Sequence, residues 1–204
     1  LVNPIIGTNG MGHTFPGACV PFGLVQLSPD TDTIPHNVDG KYQPRSYESC
    51  AGYQHKDSSI VGFSHTHFSG TGHSDLGDIL IMPTTGTLKL NPGTATNPDG
   101  GYRSRFSHDT EISRPGYYEV MLADYGVKAQ LTTTQRAGIH KYTYPTNSEN
   151  QRIILDMIHG IYNYDGKVLW TNIRVENDTL VTGYRITNGW ARTNYTYFAM
   201  SFSK

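Results

Sequence analysis

The chain has little charge, few cysteines and no long apolar run, and each shortage removes a class of protein. Only 16% of its 204 residues are Asp, Glu, Lys or Arg, and the formal net charge is -1. Lys and Arg occur singly, without the basic stripe that neutralises phosphates, so nucleic acid is not an expected partner. The longest apolar runs, such as 79–83, are far too short for a helical membrane span. Cys19 and Cys50 are too few for a four-cysteine zinc site and are not spaced as a CxxC. They are open to pairing as a disulfide, were the protein exported, or to lying as two buried thiols. No window of helical length keeps a 3.6-residue apolar period free of Gly or Pro. The first residue is Leu1, with no Met and no apolar leader core, so any export signal is expected to have been removed.

What the chain does have is glycine (22 residues) and tyrosine (14), which with Pro and Thr suit short strands and tight turns. Alternation predicts a strand through Val127, Ala129, Leu131 and Thr133, and another over 195–203 with Phe198, Met200 and Phe202 on one face. A hairpin is expected from 168–175 and 179–186 around Glu176-Asn177-Asp178. Shorter strands are expected at 79–83, 87–90, 117–122, 139–144 and 151–157. Strands at this spacing, with no helices between them, predict an all-β fold, an antiparallel β-sandwich. One such domain over 1–204 is long enough to bury a core without metal or disulfide staples.

Residues 3–78 differ from the rest, being dense in Gly, Pro, His, Ser and Thr with few clean strands. Long ordered loops of this kind are uncommon unless they bind or react. Three segments stand out. The glycine loop 7–17 holds His13 and Phe15; it lacks the Lys and Ser/Thr of a P-loop, so a phosphate is a poor guess. Segment 50–59 sets Tyr53 beside amide, imidazole and carboxylate groups, although such rings are more often core than platform. Segment 62–78 carries His65, His67, His73, Asp75 and Asp78. If extended, it would point His65 and His67 the same way. These groups suit a metal such as zinc, sugar hydroxyls, or plain backbone capping.

Read together, the segments resemble glycoside hydrolase family 92. The resemblance rests on residues 2–8, 12–18, 21–31, Gly52-Tyr53, 62–67 with 69–72, 75–79, 102–108, 115–118 and Gly189-Trp190-Ala191. It implies a calcium-dependent, inverting exo-α-mannosidase acting on mannose-containing glycans. It further implies an N-terminal β-sandwich of the galactose-mutarotase-like supersandwich kind, followed by a helical toroid that this chain lacks. That missing domain would hold the catalytic carboxylates and most calcium ligands, so no catalytic or metal residue is assigned here. By position, His13, Phe15, Tyr53, His65 and His67 would line the mannose pocket, with Asp30, Asp75 and Asp78 orienting them. Many relatives have a Trp just before the Cys-x-Gly-Tyr block, where this chain has Tyr47-Glu48-Ser49. Export to the periplasm, cell surface or medium is the expected location. A non-catalytic carbohydrate-binding module is the first rival, and a small zinc hydrolase built on His65, His67 and Asp75 the second.

Overall fold

The computed structural model describes residues 2–31, 34–71, 73, 75–161 and 164–203. Among the described residues every strand pair is antiparallel, and the only α-helix is the single turn Arg45–Glu48. The Gly72 and Ser74 positions of the histidine segment lie outside the described residues.

Two sheets face each other. One has the order Ala18–Cys19, Gln26–Asp30, Gly62–Ser64, Leu80–Thr84, Arg152–Asp156. The other runs Gly138–Thr143, Val127–Thr133, Tyr117–Leu122, Ile112–Arg114. The second owes its inner face to strict alternation. Tyr118, Val120 and Leu122 are buried, and the register sets them opposite Leu131, Ala129 and Val127. A one-residue slip would expose all six, so the pattern fixes the pairing. Leu27, Phe63, Leu80 and Met82 meet them from the five-stranded sheet and complete one core. Burying side chains of this size contributes about 1.5–3 kcal/mol each.

A three-stranded meander, Val168–Asn177, Leu180–Thr187 and Asn194–Ser201, adds a further sheet. Its outer positions include Trp170, Ile173, Val175, Tyr195 and Tyr197, all exposed. A groove of about 1310 Å³ separates its last strand from Gly138–Thr143.

Three expectations are corrected. No strand forms at 87–90, where the chain runs as a bend and irregular backbone. Residues 3–78 are not only loops: Gln26–Asp30 and Gly62–Ser64 lie in the middle of the five-stranded sheet, and Gly62–Ser64 is wholly buried. A centrally placed strand needs no alternation, because both its faces are covered, and so it carries no period-two signal. The cysteines are both free, Cys50 buried but Cys19 exposed, so neither a disulfide nor a pair of buried thiols describes them.

Candidate functional site

The glycine loop, segment 45–55 and the histidine loop meet at one end of the molecule. The Gln54 side chain donates to the Gly10 carbonyl at 3.1 Å and accepts from the Gly10 N–H at 2.8 Å, as a paired strand would. The Gly70 N–H donates to the His13 carbonyl at 2.6 Å, and the Phe15 ring lies 5.2 Å from that of His67. His13 itself adopts φ 53, and its ring meets Tyr47 edge-on at 4.8 Å. His13 is buried to 7% exposure, yet its Nε2 has no hydrogen-bond partner among the described residues. Buried polar atoms are nearly always paired, so this nitrogen is a hydrogen-bonding group left open for something else.

Beneath the loops lies a buried charge cluster. Asp30 has no exposure and bridges two imidazoles, His67 Nε2 at 2.8 Å and His159 Nε2 at 2.7 Å. The His67 Nδ1 also donates, to the Gln26 carbonyl at 2.7 Å. Burial by itself would raise the Asp30 pKa, but the charge of His67 and the bonds from His159 and His67 hold it far below the ordinary range. Gly52, at φ +84, passes so close that an added Cβ would sit 2.1 Å from Asp30 Oδ1.

His65 goes elsewhere. The strand ends at Ser64, so alternation does not extend to residues 65–67, and the expectation that both rings share a side is corrected. His65 Nδ1 donates to the Ile79 carbonyl at 2.7 Å, which leaves its Nε2 as acceptor for His140 Nε2–H at 3.0 Å. The Tyr142 hydroxyl then donates to His140 Nδ1 at 2.7 Å. Each ring in this relay is neutral, which agrees with burial lowering both pKa values. Ile79 is a β-branched residue at φ 56, a conformation costing on the order of 1–3 kcal/mol. The relay borders the groove beside Asn194–Ser201, away from Asp30.

Tyr53 is a core residue without exposure, its hydroxyl donating to Glu111, so it presents no face to a ligand here. Asp78 is buried against Arg185 at 2.9 Å and accepts from the Thr66 hydroxyl at 2.7 Å. Asp75 orients neither His65 nor His67. Its carboxylate accepts from the Trp190 N–H at 2.8–2.9 Å and from the Ala191 N–H at 3.2 Å. That grip holds Trp190, itself 72% exposed, with its ring 4.5 Å from that of His73. The zinc reading on His65, His67 and Asp75 therefore fails, since the three side chains serve three separate partners.

Whole-chain comparison agrees with this architecture. Residues 1–204 match the family described as "Glycosyl hydrolase family 92 N-terminal domain". The chain belongs to that family. A family 92 α-mannosidase from Bacteroides thetaiotaomicron, BT3965, solved in complex with mannoimidazole, is 46% identical over 100% of this chain, with a TM-score of 0.89. The family 92 glycosyl hydrolase ccman5 superimposes on 97% of the chain at 25% identity and a TM-score of 0.72. An uncharacterized secreted glycosidase of Arthroderma benhamiae is 30% identical over 156 residues, 72% of this chain. The chain spans 25% of the length of the two solved enzymes and 17% of the fungal protein.

Sequence reasoning missed His159, Arg185 and Trp190 as parts of this end of the family 92 domain. Arg185 did leave a signal, a lone charge on the face that Val181 and Gly183 share within the strand expected at 179–186. The Asp75 grip also explains Gly189, where a Cβ would lie 2.0 Å from Asp75 Oδ1. Gly189→Ala is expected to push Trp190 off this carboxylate and to lower stability by about 1–3 kcal/mol. Urea titration and Trp190 fluorescence in a Trp170→Phe background measure both effects, and an unchanged spectrum would mean the loop is held otherwise.

Proposed function

We propose that this chain is the β-sandwich wall of an exo-acting, inverting α-mannosidase, and that its loops help to hold the terminal mannose of a glycan. The observation that carries the reading is the match, over the whole of this chain and 25% of the enzyme, to an α-mannosidase solved with mannoimidazole. The open Nε2 of His13 and the clamped, exposed Trp190 support it, since sugars are held by hydrogen bonds and by apolar ring faces.

The chemistry would come from outside this chain. Inversion needs one carboxyl as acid and one as base, about 6.5–9.5 Å apart with a water between them. The acids at this end are already committed. Asp30 is held ionised by two histidines, the Asp75 carboxylate accepts three contacts from backbone N–H groups, and Asp78 is paired with Thr66 and Arg185. None is free to protonate a leaving oxygen or to activate water. The share of this domain is positioning, which can supply a large part of a barrier reduction. The following domain, a helical toroid in this reading, would bring the acid and base.

Calcium, when bound, would offer an oxygen-rich sphere able to hold sugar hydroxyls, and it takes roughly 6–8 oxygen ligands. The described residues here do not fit it, because the single gathered set of three ligating side chains is His55, His108 and Glu111, with two nitrogens. Its ligands would lie outside this chain. Export belongs to the same reading, supported by the fungal relative's description as secreted.

The test is to assay the chain and a longer protein carrying the next domain on aryl and disaccharide α-mannosides. Turnover is expected from the longer protein only, and comparable turnover from both would sink the division of labour. Saturable mannose binding by the chain alone would favour a carbohydrate-binding module instead.

A further inference from the structure

At the Tyr53–Glu111 side of the core, two imidazoles and a carboxylate converge without serving the loops described above. His55, His108 and Glu111 each offer a ligand atom, and these atoms all lie within 4.8 Å of one another. The rings of His55 and His108 stack 3.9 Å apart at an interplanar angle of 28°. One imidazole is enough to pair with Glu111, and His108 Nδ1 does so at 2.6 Å. A second ring pressed face to face on the first gains nothing from that ion pair, and two imidazolium ions so placed would repel.

The surroundings are those of a prepared ligand set. Glu111 has only 3% side-chain exposure, and its carboxylate accepts from the Tyr53 hydroxyl at 2.9 Å and the Tyr118 hydroxyl at 2.6 Å. Hydrogen bonds of this sort orient a ligating carboxylate and are the usual outer shell of a metal. The His55 backbone N–H is tied to the Thr8 carbonyl at 2.8 Å, and its ring Nδ1 lies 3.5 Å from the Tyr53 hydroxyl. His108 opens a one-turn 3-10 helix whose preceding Ser107 accepts from the Asp109 N–H. The His108 side chain is 38% exposed, so an ion and a water can reach the set from solvent.

We propose that His55, His108 and Glu111 form a binding site for a divalent transition metal of the zinc class. Two imidazole nitrogens and one carboxylate oxygen, with a water as fourth ligand, make a common tetrahedral zinc set. The same donors suit calcium poorly, because calcium selects oxygen. Zinc bonds of about 2.0–2.1 Å place tetrahedral ligand atoms ~3.4 Å apart, so atoms up to 4.8 Å apart must close in while the His108–Glu111 pair, at 2.6 Å, opens to admit the ion. Rotation of the exposed His108 side chain is the movement that achieves it. The bound ion would tie segment 53–56 to the strand Ile112–Arg114 through Glu111, stapling two parts of the sandwich. It would do so whether or not the protein cleaves mannosides.

The test uses the full chain purified without a polyhistidine tag. Isothermal titration with zinc chloride is expected to give one site of micromolar or lower Kd, and calcium chloride none at comparable concentration. Cobalt is expected to give the intense visible bands of tetrahedral coordination. Zinc at a hundredfold excess over Kd should raise Tm by roughly 5–10 °C. His108→Ala and His55→Ala should each weaken binding by more than the ~10–100-fold that losing an outer-shell partner costs. Circular dichroism of the His108→Ala protein, altered at an exposed position, separates lost ligation from lost folding. Absence of a saturable zinc heat, or undiminished one-to-one binding by either folded variant, would overturn the proposal and leave an ion pair with a stacked neighbour.

Discussion

Replacing Asp30 by Asn is expected to cost about 3–5 kcal/mol, a large part of the roughly 5–15 kcal/mol that holds a typical domain together. The reason is the company the carboxylate keeps. His67 and His159 are nearly without exposure and both point their Nε2 at it. Asn offers one acceptor oxygen where Asp offers two, so one of the two buried imidazoles would face an amide NH2 in place of its acceptor. Urea unfolding at pH 7 measures the loss, and a variant within roughly 0.5 kcal/mol of the parent would show that the cluster is not structural.

Asp30 also sets a pH dependence with a definite sign. Its folded pKa lies far below the ordinary value, so as pH falls the unfolded chain takes up the proton first. The stabilisation is complete above about pH 3.9, the unfolded value, and is lost progressively below it towards the folded pKa. The difference in stability between parent and Asp30→Asn should therefore shrink as pH falls below about 4. A difference that grew between about pH 4 and about pH 2 would reverse the assignment.

This cluster illustrates how far the sequence can be read. Alternation through Tyr118, Val120 and Leu122 and through Val127, Ala129 and Leu131 is a local signal, and the sheet it predicts is there. The strands Gln26–Asp30 and Gly62–Ser64 escaped notice because burial on both faces removes any period. His67 drew attention through its loop, but its partner His159 lies 92 residues further along, and nothing local to 157–160 marks it. The grip of Asp75 on Trp190 spans 115 residues and is made by backbone N–H groups, which every non-proline residue has. Glu111, His55 and His108 escaped notice as a set for the same reason: the 108–111 turn meets His55 only because the sheets fold two distant segments together. Local pattern carries the strands, while the tertiary partners of charged groups have to be seen.

The last expectation concerns the joint between the meander and the rest of the domain. Arg185 has no side-chain exposure and sits 2.9 Å from Asp78, at an angle that makes the contact an ion pair more than a hydrogen bond. Its guanidinium also donates to the carbonyls of His159 at 2.6 Å and Met157 at 3.3 Å. Burial pulls its pKa down and Asp78 pushes it back up. Arg185→Met should cost about 3–5 kcal/mol, because it leaves Asp78 charged, buried and short of a partner. Asp78→Leu should cost a similar amount by stranding the arginine. The Asp78→Leu, Arg185→Met double variant should be markedly less destabilised than the two losses summed, since neither member of the ion pair is left stranded by the other's removal. The loss should also be local. Val168–Asn177 and Leu180–Thr187 would lose their anchor and exchange amide hydrogens faster, while Tyr117–Leu122 and Val127–Thr133 keep their protection. The Asn188–Thr193 turn that presents Trp190 would loosen with them, and, on the function proposed above, mannoside binding by the longer protein should weaken before the fold is lost. Strictly additive losses, or faster exchange spread evenly over every sheet, would mean that packing around the core, and not this ion pair, joins the meander to the sandwich.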